Sequence, residues 1–152
     1  MILISACLAG VNCKYNGENN LNEGIKRLIE DRKAILVCPE QLGGLATPRV
    51  PAEIVKGEGK DVLEGKCKVM NKDGEDKTNY FIKGAKEALE IAKMYHIKKA
   101  ILKERSPSCG CGIIYDGSFK GNKRNGDGVT TALFNQHGIK VYNENNYIHG
   151  EF

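Results

Sequence analysis

Six cysteines are the residues of this 152-residue chain that could do chemistry: Cys7, Cys13, Cys38, Cys67, Cys109 and Cys111. A thiolate is a nucleophile and a soft metal ligand. A chain of this length buries a core without disulfide staples. Its opening run, "MILISACLAGVNCK", is unlike a signal peptide, because no positive segment precedes a short apolar stretch. In a reducing compartment such cysteines are more often metal ligands or catalytic groups than disulfide halves. There is no CxxC pair and no compact finger spacing. Spacing therefore leaves zinc, an iron–sulfur cluster and plain burial all open.

The neighbours of the cysteines narrow the chemistry. Cys38 is followed by Pro39 and Glu40, which sets a carboxylate beside a candidate ligand. "KERSPSC" brings Lys103, Arg105, Ser106 and Ser108 up to Cys109, and "TPR" adds Arg49. An acid/base group, hydroxyls and cations around thiols read as a reaction centre for a polar or anionic substrate. Each also has a plain structural role: a turn carboxylate, loop-capping hydroxyls, a solvated charged edge. "GDGVTTA" at 126–132 is a glycine loop feeding a helix, which can cradle a phosphate or simply start the helix. His96, His137 and His149 fall at helix ends and in the tail, and none is taken as ligand or base.

These residues need elements to position them. "MILISA" (1–6), "KAILVC" (33–38), "KAILK" (99–103) and "IKVYN" (139–143) read as strands, the first three as buried core strands. "NEGIKRLIEDR" carries Ile25, Leu28 and Ile29 at helical spacing, with Asn22 as cap. A long amphipathic helix is predicted over 76–96, and another over 128–138 closed by Gly138. Residues 39–53 hold three of the four prolines and read as an extended loop. Short antiparallel strands are expected near 53–57 and 66–70. The whole is one α/β domain over 1–152: an open, mainly parallel Rossmann-like sheet flanked by helices, with a short antiparallel excursion around 53–70. Ligands of such sheets bind at the carboxyl ends of the strands. Cys7, Cys38 and Cys109 close three strands there, Cys13 follows in the first loop, and Cys67 and Cys111 stand apart.

Composition excludes several classes. The formal net charge of +4 is mild for a dedicated nucleic-acid binder, and no tryptophan is present. No stable nucleic-acid partner is expected. No run approaches the length of a membrane span, so the expectation is a cytoplasmic protein without a membrane partner.

The segments "SACLAGVNCKYNG", "VCPEQLGGLATPR", "AILKERSPSCGCGIIYDG" and "GDGVTTALFNQHGIKVYNE" together resemble the thiouracil desulfidase family, from Ser5 to Glu144. The resemblance implies a 4Fe-4S cluster held by three cysteines, with one iron lacking a protein ligand. It implies non-redox removal of sulfur from thiolated uracil compounds such as 2- or 4-thiouracil and 4-thiouridine monophosphate. The motif cysteines are Cys7, Cys13, Cys38 and Cys109. Cys7, Cys38 and Cys109 are taken as ligands because each closes a different core strand, with Cys13 as fourth candidate. Glu40 and Ser106 then become the expected catalytic pair. Arg49, Lys103, Arg105 and Ser108 become the expected substrate-binding residues. The alternatives are a structural or redox-sensing iron–sulfur or zinc module without turnover, and a nucleotide-binding domain whose cysteines are only buried.

Overall fold

The computed structural model describes residues 1–31, 34–148 and 151–152. In chain order its elements are β1 (Ile2–Ser5), a 3₁₀ turn (Ala6–Ala9), α1 (Glu23–Asp31), β2 (Ala34–Val37), α2 (Pro39–Leu42), β3 (Ala52–Val55), α3 (Gly59–Leu63), β4 (Lys68–Asn71) and α4 (Thr78–Met94). Then follow β5 (Lys99–Leu102), β6 (Ile113–Tyr115), β7 (Lys123–Asn125), α5 (Val129–Gln136) and β8 (Lys140–Asn143).

The main sheet has strand order β2-β1-β5-β8, and every neighbouring pair is parallel. Its two central strands are buried on both faces, which is why they read as continuous apolar runs. Alternation sorts their side chains. Leu3, Ala100 and Leu102 pack on one side with Phe81, Ala85, Leu89 and Phe134 of α4 and α5. Ile2, Ile4 and Ile101 pack on the other with Ile25 and Leu28 of α1. The chain leaves β1 toward β2 on one side and returns to β5 on the other. The carboxyl ends of β1 and β5 thus flank the point where strand order reverses, where ligands bind in open α/β sheets. β3 pairs antiparallel with β4, as expected near 53–70, and β6 pairs antiparallel with β7.

The expected elements are present with slightly shorter bounds; position 33 of the second strand and position 32 of the first helix lie outside the described residues. Three corrections apply. β2, expected as a buried core strand, is an edge strand of the sheet, with Ala34 and Ile35 half-buried and Leu36 exposed. Part of the 39–53 loop is helical, as α2: Pro39 occupies its first turn, where its fixed φ is already helical and its missing N–H costs no bond. The β6–β7 hairpin lies where no strand is expected above, because strands of three residues carry too short a pattern to read. Two glycines seat α2 on α4. A Cβ on Gly43 would lie 2.1 Å from the Tyr80 carbonyl oxygen, and one on Gly84 would lie 1.9 Å from that of Pro39. Among the described residues no helix is long and apolar enough to cross a membrane.

Candidate active site

The ends of β1, β2 and β5 open into one cavity of about 580 Å3. Cys7, Cys13, Cys38 and Cys109 line it together with Glu40, Arg49, Lys103, Arg105 and Ser106. Cys7 sits in the 3₁₀ turn directly after β1, Cys38 caps α2 directly after β2, and Cys109 lies in the loop after β5. Cys67 and Cys111 point elsewhere. The Cys67 thiol donates to the Glu58 carbonyl at 3.8 Å, and that of Cys111 to the Val141 carbonyl at 3.5 Å. Burial pushes Cys67 up, and pushes Cys111 up to about 11.

The four cavity thiols are not equivalent. The Cys13 thiol acts as hydrogen-bond donor toward the sulfurs of Cys7 and Cys38, and the Cys38 thiol lies 3.8 Å from the Cys13 carbonyl oxygen. That donation lowers Cys7 despite burial, lowers Cys38 to about 7, and raises Cys13. Cys109 stands off from this trio. Burial raises it, against a hydrogen bond from the Ser5 hydroxyl, while Cys38 and Cys7 act on it only through charge. Ser5 also accepts the Lys103 N–H at 2.9 Å, so one hydroxyl ties the end of β1 to the end of β5 and to Cys109. Among the described residues no three cysteine, histidine or acidic side chains converge as a single metal ion requires. A cluster binds each thiolate through a separate iron, so its ligands stand farther apart. Four soft thiols around one cavity suit that arrangement.

Glu40, in the first turn of α2, is gripped by Arg49. The Arg49 Nε–H donates to Glu40 Oε2 at 3.1 Å, and Nη2 bonds the same oxygen closely. Nη2 also donates to the Cys13 carbonyl at 2.9 Å, and Nη1 reaches the Thr47 hydroxyl at 3.0 Å and the Ala46 carbonyl at 3.3 Å. Arg49 is thus saturated, and it clamps the carboxylate to the Cys13 loop. Glu40 Oε1 has no hydrogen bond among the described residues. Ser106 Oγ accepts the N–H groups of Ser108 and Cys109, both at 3.1 Å. Two accepted bonds occupy both lone pairs of the hydroxyl, so what Ser106 offers the cavity is its proton.

The remaining expected contacts are distributed differently. Ser108 is buried and does not line the cavity; its hydroxyl bonds that of Thr130 at 2.8 Å. Its carbonyl and that of Pro107 accept the Thr130 and Val129 N–H groups, both at 2.8 Å. The start of α5 is therefore occupied by the Cys109 loop and is no phosphate cradle. A Cβ on Gly128 would come within 2.4 Å of the Ser108 carbonyl oxygen, so only glycine permits this seating. Lys103 is paired with Glu144 at 2.7 Å. The Arg105 guanidinium lies 3.5 Å from the Glu104 carboxylate, and its buried Nε has no hydrogen-bond partner among the described residues. His96 and His137 line a separate cavity of about 200 Å3 with no cysteine, and His149 lies outside the described residues.

The model of the 2-thiouracil desulfurase family matches residues 2–146. The chain belongs to that family. A Bacillus subtilis protein, YbbK, described as uncharacterised, is 50% identical over 145 residues, covering 95% of this chain and 96% of its own. A solved structure described as the [4Fe-4S]-dependent thiouracil desulfidase TudS is 40% identical, with a TM-score of 0.83 over 95% of this chain and 90% of its own. Family and structural neighbour both point to enzymatic desulfuration of thiouracil, and they share this α/β fold. For a member of this family, the cavity also holds residues that sequence reasoning passed over: Ser5, Asn20, Glu53, Lys72, Tyr115 and Phe119. Ser5 had a signal, a polar residue ending a buried apolar strand. The others had none, since strand pairing and loop packing bring them in.

Proposed function

We propose that this chain is a single-domain, cytoplasmic, 4Fe-4S-dependent desulfidase that converts thiolated uracil compounds, 4-thiouridine monophosphate and 2- or 4-thiouracil among them, into the oxo-pyrimidine and sulfide. The observation that carries this reading is the meeting of four thiols, a clamped carboxylate and a proton-donating serine on one cavity wall. A buried structural cluster needs neither of the last two.

Cys7, Cys38 and Cys109 are the residues to hold the cluster, one from each of three strand ends. Cys13, in the loop after β1, serves as the neighbouring thiol. Bound there, a cluster with one iron free of protein ligands supplies a soft Lewis-acid position for a thiocarbonyl sulfur. The protein supplies the rest. Arg49 fixes Glu40 so that Oε1 faces the cavity as the base for an attacking water. Water adds its oxygen to the thiocarbonyl carbon and loses one proton to Glu40. The C–S bond then breaks as the added oxygen gives up its remaining proton to become the carbonyl; sulfur leaves as sulfide, and that proton together with the one on Glu40 completes hydrogen sulfide. One water is consumed and no electron enters or leaves. Ser106 donates its hydroxyl to the ring and holds the reacting carbon toward Glu40.

The test is anaerobic reconstitution followed by incubation with 4-thiouridine monophosphate. The expected result is about four irons and four sulfides per chain, loss of thiocarbonyl absorbance and equivalent sulfide release. A brown protein that consumes no thiolated base overturns the desulfidase reading and leaves a structural or redox-sensing module.

A further inference from the structure

The structure assigns Ser5 a positioning role: its hydroxyl donates to the Cys109 sulfur, holding that thiolate toward the cluster and withdrawing charge from it. The inference rests on Cys109 being a cluster ligand, as proposed above.

Alternation along β1 sets the direction of the Ser5 side chain. Leu3 packs on the α4–α5 side of the sheet, and Ile2 and Ile4 pack on the other. Successive strand residues face opposite ways, so Ser5 shares the face of Leu3. Cys109 and Val37 belong to the same buried group as Leu3, and Val37 is the partner of Ser5 across the β1–β2 ladder. Ser5 is 3% exposed and lines the cavity with Cys7, Cys38 and Cys109. A hydroxyl at that depth has its hydrogen bonds made within the protein. Its oxygen accepts the Lys103 N–H at 2.9 Å, which anchors it to the strand end that leads into the Cys109 loop. Its proton goes to the Cys109 sulfur, and that bond opposes the upward push of burial on the thiol.

Two further hydroxyls fix the rest of Cys109. Its N–H donates to Ser106 Oγ at 3.1 Å, and its carbonyl accepts the Thr131 hydroxyl at 2.9 Å. With the backbone held at both ends, rotation of the side chain is the freedom that Ser5 removes. Hydrogen bonds to a metal ligand orient it and tune the metal. In iron–sulfur proteins, bonds to the sulfurs are among the factors that set the reduction potential. A donor on a thiolate favours the reduced state, because a charge-assisted bond strengthens with the negative charge on its acceptor. The same withdrawal of charge makes the bound metal a stronger Lewis acid toward a thiocarbonyl sulfur. One buried hydroxyl thus serves both the seating of Cys109 and the electron demand of the site.

The test is a redox titration of the anaerobically reconstituted full chain, read by electron paramagnetic resonance of the reduced cluster, beside urea unfolding of the iron-free chain. Ser5→Ala is expected to favour the oxidised state about tenfold, which for one electron is about 59 mV to lower potential. Ser5→Thr keeps the hydroxyl and is expected to keep the potential of the unaltered chain. Ser5→Val matches Ser5→Thr in shape and lacks the hydroxyl, so this second pair repeats the comparison should alanine impair folding. Equal potentials with and without the hydroxyl, accompanied only by lower stability in urea, make Ser5 a plain tie between β1 and β5 and overturn the inference. A potential that falls with loss of the hydroxyl, in a chain that desulfurates nothing, upholds it and removes the desulfidase reading instead. An unaltered chain that takes up no iron overturns the cluster and the inference together.

Discussion

Glu40 and Arg49 show how much of this site rests on single side chains. Arg49 spends its donors on one carboxylate oxygen, one hydroxyl and two carbonyls, and so orients Glu40 relative to the Cys13 loop. Glu40→Gln is expected to keep bound iron and to lower turnover by about 10²–10⁴-fold, the range for a positioned general base. Iron analysis beside steady-state sulfide release checks both halves, and an unchanged rate removes Glu40 from the mechanism. Arg49→Lys keeps a positive charge, but a single ammonium cannot replace the planar fork. A fall in kcat of about 10- to 100-fold is expected from the misplaced carboxylate, with iron content unchanged. The identities of Glu40 and Ser106 were legible in the sequence because each lies within three residues of a cysteine. Their chemistry was not: that Ser106 is left only as a donor follows from two backbone amides of its own loop.

At the level of elements, the Cys38–Glu40 turn is held by contact between α2 and α4. Gly84→Ala sets a methyl 1.9 Å from the Pro39 carbonyl oxygen in the unrelaxed backbone, which forces the helices apart. A loss of about 1–3 kcal/mol is expected from overpacking, together with lower activity because Cys38 and Glu40 move with α2. Urea unfolding measures the first; stability equal to the unaltered chain argues against a rigid α2–α4 seat. The start of α4 gives a pH test. The Thr78 N–H donates to Asp76 Oδ1 at 2.9 Å while its hydroxyl oxygen accepts the Val69 N–H at 3.0 Å, and bonding to Thr78 holds the Asp76 carboxyl below its ordinary value. A depressed folded value means the contribution is present above the unfolded pKa of about 3.9 and is lost as pH falls through the folded value. The group is exposed, so Asp76→Asn should cost only a few tenths of a kcal/mol near neutral pH, and less at pH 2. Urea midpoints at the two pH values decide it. Long elements such as α4 were legible from periodicity, whereas α2, of four residues, carries no period to read.

At the scale of the whole molecule, the proposed ligands come from segments after β1, β2 and β5, so cluster binding ties three parts of the sheet together. A ligand bound only by the folded state raises stability. Reconstituted protein is expected to melt higher than the iron-free chain, and Cys109→Ala to lose most of that gain. Equal melting temperatures with iron bound would contradict a ligand set that spans the sheet. The amino-acid pattern by itself determined the strands, the long helices, the parallel order implied by their alternation, and the arrival of Cys7, Cys38 and Cys109 at strand ends. Those follow from local periodicity, since burial of alternate or every third or fourth side chain is written along the chain. What only the tertiary structure decided is which groups remain available. Ser108 is turned into the body, Arg49 is consumed by Glu40 and Lys103 by Glu144, and Cys13 adjoins two other thiols. Glu53 and Lys72 reach the same cavity wall through the pairing of β3 with β4. Availability depends on long-range partners, such as the Ser5–Lys103 bond across the sheet, and no local pattern encodes them.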